Sequence, residues 1–231
     1  MPGSVHAPAP QPLQVSPAPG QAVAPDYWDE ACKHLGKRDR VLKKLIPQFG
    51  GARLQSRGDA FTTLARSIVG QQISVKAAQS VWDRFAALVG GHATHLVPAD
   101  VLALSVEGLR GAGLSARKAE YLLDLSRHFE AGSVHPGQWQ QMDDEAIIKE
   151  LVDIRGIGRW TAEMFLIFHL MRPNVLPLDD LGLLKGISVN YFSGEPVSRA
   201  EARELGEAWA PFRSVATWYI WRSLDPLPVE Y

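Results

Sequence analysis

Between Asp59 and Gly90 the apolar side chains Phe61, Leu64 and Ile68, then Val75, Ala78, Val81, Trp82 and Phe85, recur at three- and four-residue steps. That spacing predicts two amphipathic helices broken near Gly70–Ser74, with the Ser74 hydroxyl as N-cap of the second. The segment SVEGLRGAGLSARKAEYLLDLSRHF repeats the theme: a short helix, a break at Gly111–Gly113, Ser115 as N-cap, then Ala119, Leu122, Leu123, Leu125, Ser126 and Phe129 along one helix. DDEAIIKELVDI and TAEMFLIFHLM read as helices, the second over Thr161–Met171, and SRAEARELGEAWAPFRSVATWYIWRSL reads as two more separated by Pro211. Strand alternation is nearly absent and no fixed-period repeat is evident. The pattern predicts an all-α fold rather than a solenoid.

Two of these helices meet through LVDIRGIGRWTAEMF, where Gly156 and Gly158 stand one residue apart. Glycine accepts the backbone angles of a tight turn, which is a sufficient structural reason for both. A second consequence is chemical. Without side chains at those positions, the amides that open the following helix can approach a phosphate, which the helix dipole also favours, and Arg159 would add one charge.

Composition narrows the picture. At 231 residues and 46% hydrophobic content the chain can bury a sizeable core, and the single Cys32 excludes a disulfide framework or a four-cysteine metal site. The lone cysteine points to a reducing, cytoplasmic setting, and no membrane contact is expected, since no apolar run approaches the roughly 20 residues that span a bilayer. Net charge is −1 with an isoelectric point near 6.7, which argues against coating nucleic acid by bulk charge but leaves room for a local basic face. From Lys37 to Arg57 the bases Lys37, Arg38, Arg40, Lys43, Lys44, Arg53 and Arg57 meet one acid, Asp39. Residues 1–26 are Pro- and Ala-rich and nearly uncharged, and are expected to form a disordered tail before a domain over 27–231. Histidines 92, 95, 128, 135 and 169 show no metal-ligand spacing on a common helix, and His169 reads as a core residue.

After the hairpin comes RPNVLPLDDLGLLKGI, with Asp179 and Asp180 adjacent among apolar residues. An acid there can be simply a helix cap. Taken with FTTLARSIVGQQISVKAAQSVWDRF, GLRGAGLSARKAEYLLDLS and WAPFRSVATWYIWR, however, these motifs resemble the helix–hairpin–helix Gly/Pro-Asp superfamily of DNA glycosylases. Within it the chain is similar to the bacterial 3-methyladenine DNA glycosylase II (AlkA-type) branch, in a compact form.

The resemblance implies two helical lobes with a DNA-binding cleft, and a monofunctional enzyme of base excision repair. Such an enzyme extrudes an alkylated purine such as 3-methyladenine from damaged double-stranded DNA and hydrolyses its N-glycosidic bond. Asp180 matches the catalytic aspartate, with Asp179 as cap or secondary acid. Trp160 stands where bifunctional glycosylase/lyase relatives carry a nucleophilic lysine. Trp160, Met164 and Phe212 are implied for the base pocket, with Met164 where some relatives place a tyrosine and Trp218 as a further aromatic candidate. Gln71, Gln72 and Ile73 match the loop that fills the gap left by the extruded base, and Gly156, Gly158, Arg159 and Thr161 the DNA-binding hairpin. The resemblance implies no cofactor and no catalytic metal, with room for a structural monovalent cation on the hairpin carbonyls, and a monomer at the bacterial nucleoid. Excision of hypoxanthine, uracil or an oxidised purine, or a non-catalytic helix–hairpin–helix DNA-binding role, are the alternatives.

Overall fold

Short side chains that accept main-chain N–H groups set most of the helix starts. Asp39, Asp59, Ser74, Ser105, Ser115, Asp143, Asp180 and Ser198 each cap a helix in this way. The computed structural model describes residues 24–56, 58–90 and 95–224, and among these it contains helices and no strand. In chain order they are α1 (Trp28–Arg38), α2 (Arg40–Leu45), α3 (Ala60–Gly70), α4 (Val75–Leu88), α5 (Pro98–Leu102), α6 (Val106–Arg110), α7 (Ala116–Glu130), α8 (Asp144–Val152), α9 (Arg159–Phe168), α10 (Leu181–Tyr191), α11 (Arg199–Glu207) and α12 (Arg213–Leu224).

Two packing groups result, matching the expected pair of lobes. Helices α3 to α9 pack on one another around α7, while α1 and α2 join α10, α11 and α12 in a second lobe built from both ends of the described chain. Trp82 and Trp139 are fully buried in the first lobe, Trp28 and Trp209 in the second. Each large aromatic removes about 150–250 Å² from water, roughly 4–6 kcal/mol at 25 cal/mol per Å² before the entropy of ordering is counted.

The one acid of the basic stretch has become a structural hub. Asp39 is buried; its Oδ1 accepts the Val41 and Leu42 amides at 2.8 and 2.9 Å, and its Oδ2 accepts the Tyr191 hydroxyl at 2.7 Å and the Trp209 indole at 2.9 Å. One carboxylate thus starts α2 and ties it to α10 and to the segment after α11.

Two boundaries differ from the sequence expectation. Helix α9 ends at Phe168 rather than Met171, because Met171 adopts a left-handed φ of 52° and the Leu170 and Arg172 amides fold back onto the Phe165 and Leu166 carbonyls. The tail expected over residues 1–26 lies outside the described residues up to 23. Its end already belongs to the domain, since Pro25 is buried and its carbonyl accepts the Trp28 amide.

Asp39→Ala strips four donors of their acceptor, two of them on aromatic side chains, the buried Trp209 and the half-buried Tyr191. It is expected to cost about 3–5 kcal/mol in urea unfolding, against about 1–2 kcal/mol for Asp39→Asn, which keeps one accepting oxygen.

Candidate active site

Helix α9 is buried along Thr161–Ile167, on all sides rather than along one stripe, and Glu163 is a charged residue within that stretch. Against it, the end of α3, the loop Gln71–Ser74 and the start of α4 leave a cavity of about 560 Å³. Trp160, Met164, Phe165 and Phe168 form one wall, and Thr63, Ser67, Gln71, Ile73 and Val75 are among the residues of the other. Arg66 is the one charged residue of its lining, which includes no Asp, Glu, His or Lys. Beyond the floor, the imidazole of His169 meets the Thr63 hydroxyl at 3.3 Å and stacks on Phe165 at 4.7 Å; burial pushes its pKa down to about 4, so the ring is neutral near pH 7.

Asp180 bridges the lobes at the edge of this cavity. As N-cap of α10 its Oδ1 accepts the Leu183 amide at 2.6 Å and the Trp221 indole at 2.8 Å, and its Oδ2 accepts the Trp160 indole at 2.8 Å. Three N–H groups aimed at one partly exposed carboxylate fix its orientation and fill its lone pairs. Trp221, on α12, also stacks on Phe168 at 5.7 Å with planes 11° apart, which continues the aromatic wall past the lobe boundary. The neighbouring acid is separate: Asp179 is exposed and pairs with Arg199 at 2.7 Å. The cap falls on Asp180 and not on Asp179, so one carboxylate serves as both cap and candidate catalytic group.

The α8–α9 turn treats its two glycines differently. Gly156 has φ of 88°, and a Cβ there would overlap the Tyr121 ring of α7; Gly158 has an ordinary extended backbone, and nothing stands within 4 Å of where its Cβ would be. Packing therefore requires the first glycine, whereas open space surrounds the second. Because Gly158 is the N-cap and has no side chain to offer, the first-turn amides of α9 have no side-chain cap. Both arginines beside the turn are braced. Arg155 reaches Asp124 at 3.2 Å, and Arg159 bonds Glu145 and, at 3.0 Å, the buried Glu163, whose carboxyl burial pushes up against the pull of that guanidinium. A phosphate contact from Arg159 would need that clamp to open, so the turn offers main-chain N–H groups instead. The Gly156 carbonyl is also engaged, by Gln71 at 2.9 Å, so a monovalent cation on the hairpin would have to use other carbonyls. No group of three His, Cys, Asp or Glu among the described residues could hold a metal ion.

Residues 65–211 match the family model for the HhH-GPD superfamily of base excision DNA repair proteins. The chain belongs to this superfamily. It is 31% identical over 204 residues to a putative DNA-3-methyladenine glycosylase, YfjP, of Bacillus subtilis, covering 87% of this chain and 70% of that protein. Among solved structures, a DNA-3-methyladenine glycosidase of Bacillus halodurans superposes with a TM-score of 0.77 at 34% identity, covering 89% of this chain and 93% of that one. The Schizosaccharomyces pombe 3-methyladenine DNA glycosylase Mag1, solved in complex with abasic DNA, gives 0.74 at 29% identity, with 87% and 100% covered.

In this HhH-GPD protein the site residues expected from the sequence fall into three groups. Trp160 and Met164, expected at a base pocket, line the cavity, and Thr161, expected at the DNA, lines it too with 9% of its surface exposed. Gln72 and Ile73 project from the loop, the first with a left-handed φ of 59°, the second 40% exposed; Gln71 turns inward. Phe212 is a correction. It is buried in the other lobe, stacked on Tyr27 at 6.1 Å and edge-on to His34 at 5.3 Å, at the opposite end of α12 from the site. Trp218 likewise packs edge-on against Trp28 at 5.2 Å. The aromatic ring that α12 delivers is Trp221, one turn beyond Trp218, whose only sequence signal is its place in the run WYIW.

The two glycines should separate on mutation. Gly156→Ala is expected to lower the melting temperature by several degrees, through a strained φ and the clash with Tyr121. Gly158→Ala should leave melting unchanged while weakening duplex binding, as read by fluorescence anisotropy on undamaged DNA.

Proposed function

We propose that the protein is a monofunctional DNA-3-methyladenine glycosylase of base excision repair, which flips an alkylated purine into the α3–α9 cavity and hydrolyses its N-glycosidic bond. The observation that carries this reading is a carboxylate held by three N–H donors at the edge of an aromatic pocket whose lining offers no acid and no amine. Without a general acid in the wall, a leaving base has to depart unprotonated. An N-alkylated purine already carries positive charge, leaves readily, and stacks on electron-rich rings such as Trp160 by roughly 0.5–2 kcal/mol. Uracil and hypoxanthine are neutral and would need a proton donor, which disfavours them as substrates.

Asp180 acts on the sugar. As the glycosidic bond lengthens, positive charge grows on the deoxyribose ring, and a carboxylate about 4 Å away contributes on the order of 4 kcal/mol at an effective dielectric of 20. The two indole donors fix its direction, and the same carboxylate can orient the attacking water. The absence of lysine from the cavity lining supports simple hydrolysis over a covalent imine route. The uncapped amides at the start of α9 anchor the backbone. With this reading goes a monomer working at the nucleoid, in the cytoplasm.

Single-turnover release of 3-methyladenine tests the assignment. Asp180→Asn should retain binding to lesion DNA and lose about a hundredfold or more in rate, while Asp179→Asn, which breaks only an exposed ion pair, should stay within about threefold. Trp221→Phe, which keeps a ring on Phe168 but removes one donor, should lose about tenfold. Borohydride should trap no enzyme–DNA adduct. Near-native excision by folded Asp180→Asn would overturn the catalytic assignment.

A further inference from the structure

The loop after α3 is held at its root by side chains from distant parts of the chain. Lys118, in the first turn of α7, donates from Nζ to the Val69 carbonyl at 2.7 Å, in the last turn of α3 where carbonyls lack intrahelical partners. Burial holds its amine below the ordinary lysine range. One turn further along α7, the Tyr121 ring lies against Gly156 so closely that no side chain fits there. Gln71 closes the third side: its Nε2 donates to the Gly156 carbonyl at 2.9 Å, between residues 85 apart in sequence. A carbonyl only accepts, so the amide of Gln71 has one orientation. The end of α3, the start of α7 and the hairpin turn are thereby three corners held at fixed separations.

Outside this triangle stands the loop tip. Gln72 is exposed with its backbone in the left-handed region, Ile73 is 40% exposed, and Ser74 leads directly into α4 as its cap. A wedge keeps a nucleotide extruded only while its distance from the anchor on the backbone is fixed; a tip that can recoil lets the base return to the stack.

We propose that Gln71 is a positioning residue that does not enter the duplex. It holds the wedge loop at a set distance from the hairpin that anchors the DNA backbone, so that Gln72 and Ile73 occupy the space of the extruded nucleotide. This deepens the glycosylase reading and rests on it for the identity of the reaction.

Gln71→Met keeps the length and apolar volume of the side chain and removes its donor. Three quantities are measured at one salt concentration: affinity for an undamaged duplex, affinity for the same duplex carrying a stable abasic-site analogue, and melting temperature. The preference for the abasic duplex should fall about three- to tenfold while undamaged-duplex affinity stays within twofold. Gln72→Ala should lower the same preference without moving the melting temperature. Combining Gln71→Met with Lys118→Met should cost less than the sum of the two, because both release the same loop. A folded Gln71→Met variant whose abasic preference stays within twofold of wild type would show the bond to be merely structural. An equal fall in affinity for both duplexes would mean that Gln71 touches DNA itself. Either result overturns the proposal. Failure of the wild-type protein to release 3-methyladenine would sink the glycosylase reading alone, since the binding ratio needs no bond cleavage.

Discussion

A carboxylate shared between two lobes organises the site. Asp180 receives Leu183 from its own helix, Trp160 from the first lobe and Trp221 from the second. An ionised carboxylate at a lobe junction is costly unless its lone pairs are filled, and here rigid ring N–H groups fill them, so satisfying the charge also sets how the lobes meet. The stack of Trp221 on Phe168 adds an apolar contact to the same seam. Stability and chemistry place the same demand on this group: it must stay charged, and it must not turn.

Around it the chain divides its labour by polarity. One wall of the pocket is aromatic, from Trp160, Phe165 and Phe168, and presents ring faces to a flat base, while the other carries Thr63, Ser67 and Gln71 and no carboxyl group. The hairpin beside it keeps its guanidinium groups in ion pairs with Asp124, Glu145 and Glu163, leaving main-chain amides as the exposed donors. Amides carry no net charge and hold their direction without help. With a net charge of −1, the chain as a whole has no bulk positive charge with which to coat nucleic acid.

Much of this was legible in the primary structure because it is local. Helix periodicity, the caps at Ser74 and Ser115, the break at residues 70–74 and the GxG turn depend on neighbours within a few residues, and each stands where the spacing puts it. Asp180 and Trp160 were readable as a pair of roles from the resemblance, but not as hydrogen-bonded partners. The misplaced aromatics show the limit. Phe212, Trp218 and Trp221 lie on or beside one helix with similar local sequence, and only the rotation of α12 against α10 and α1 decides that Trp221 faces Asp180 while the others face Tyr27 and Trp28.

The sequence by itself therefore determined the all-α class, the positions of the breaks and the residue types available for chemistry, since helix propensity, capping and turn geometry act over a handful of residues. Tertiary structure decided what those residues do. It gave Gly156 to packing and left Gly158 open, turned Arg159 toward Glu163 and Gln71 toward Gly156, and made a helix cap into a candidate catalytic carboxylate. Each of these rests on a contact between segments remote along the chain, and the direction of a side chain across such a gap is fixed by the packing of whole helices, which no local pattern encodes.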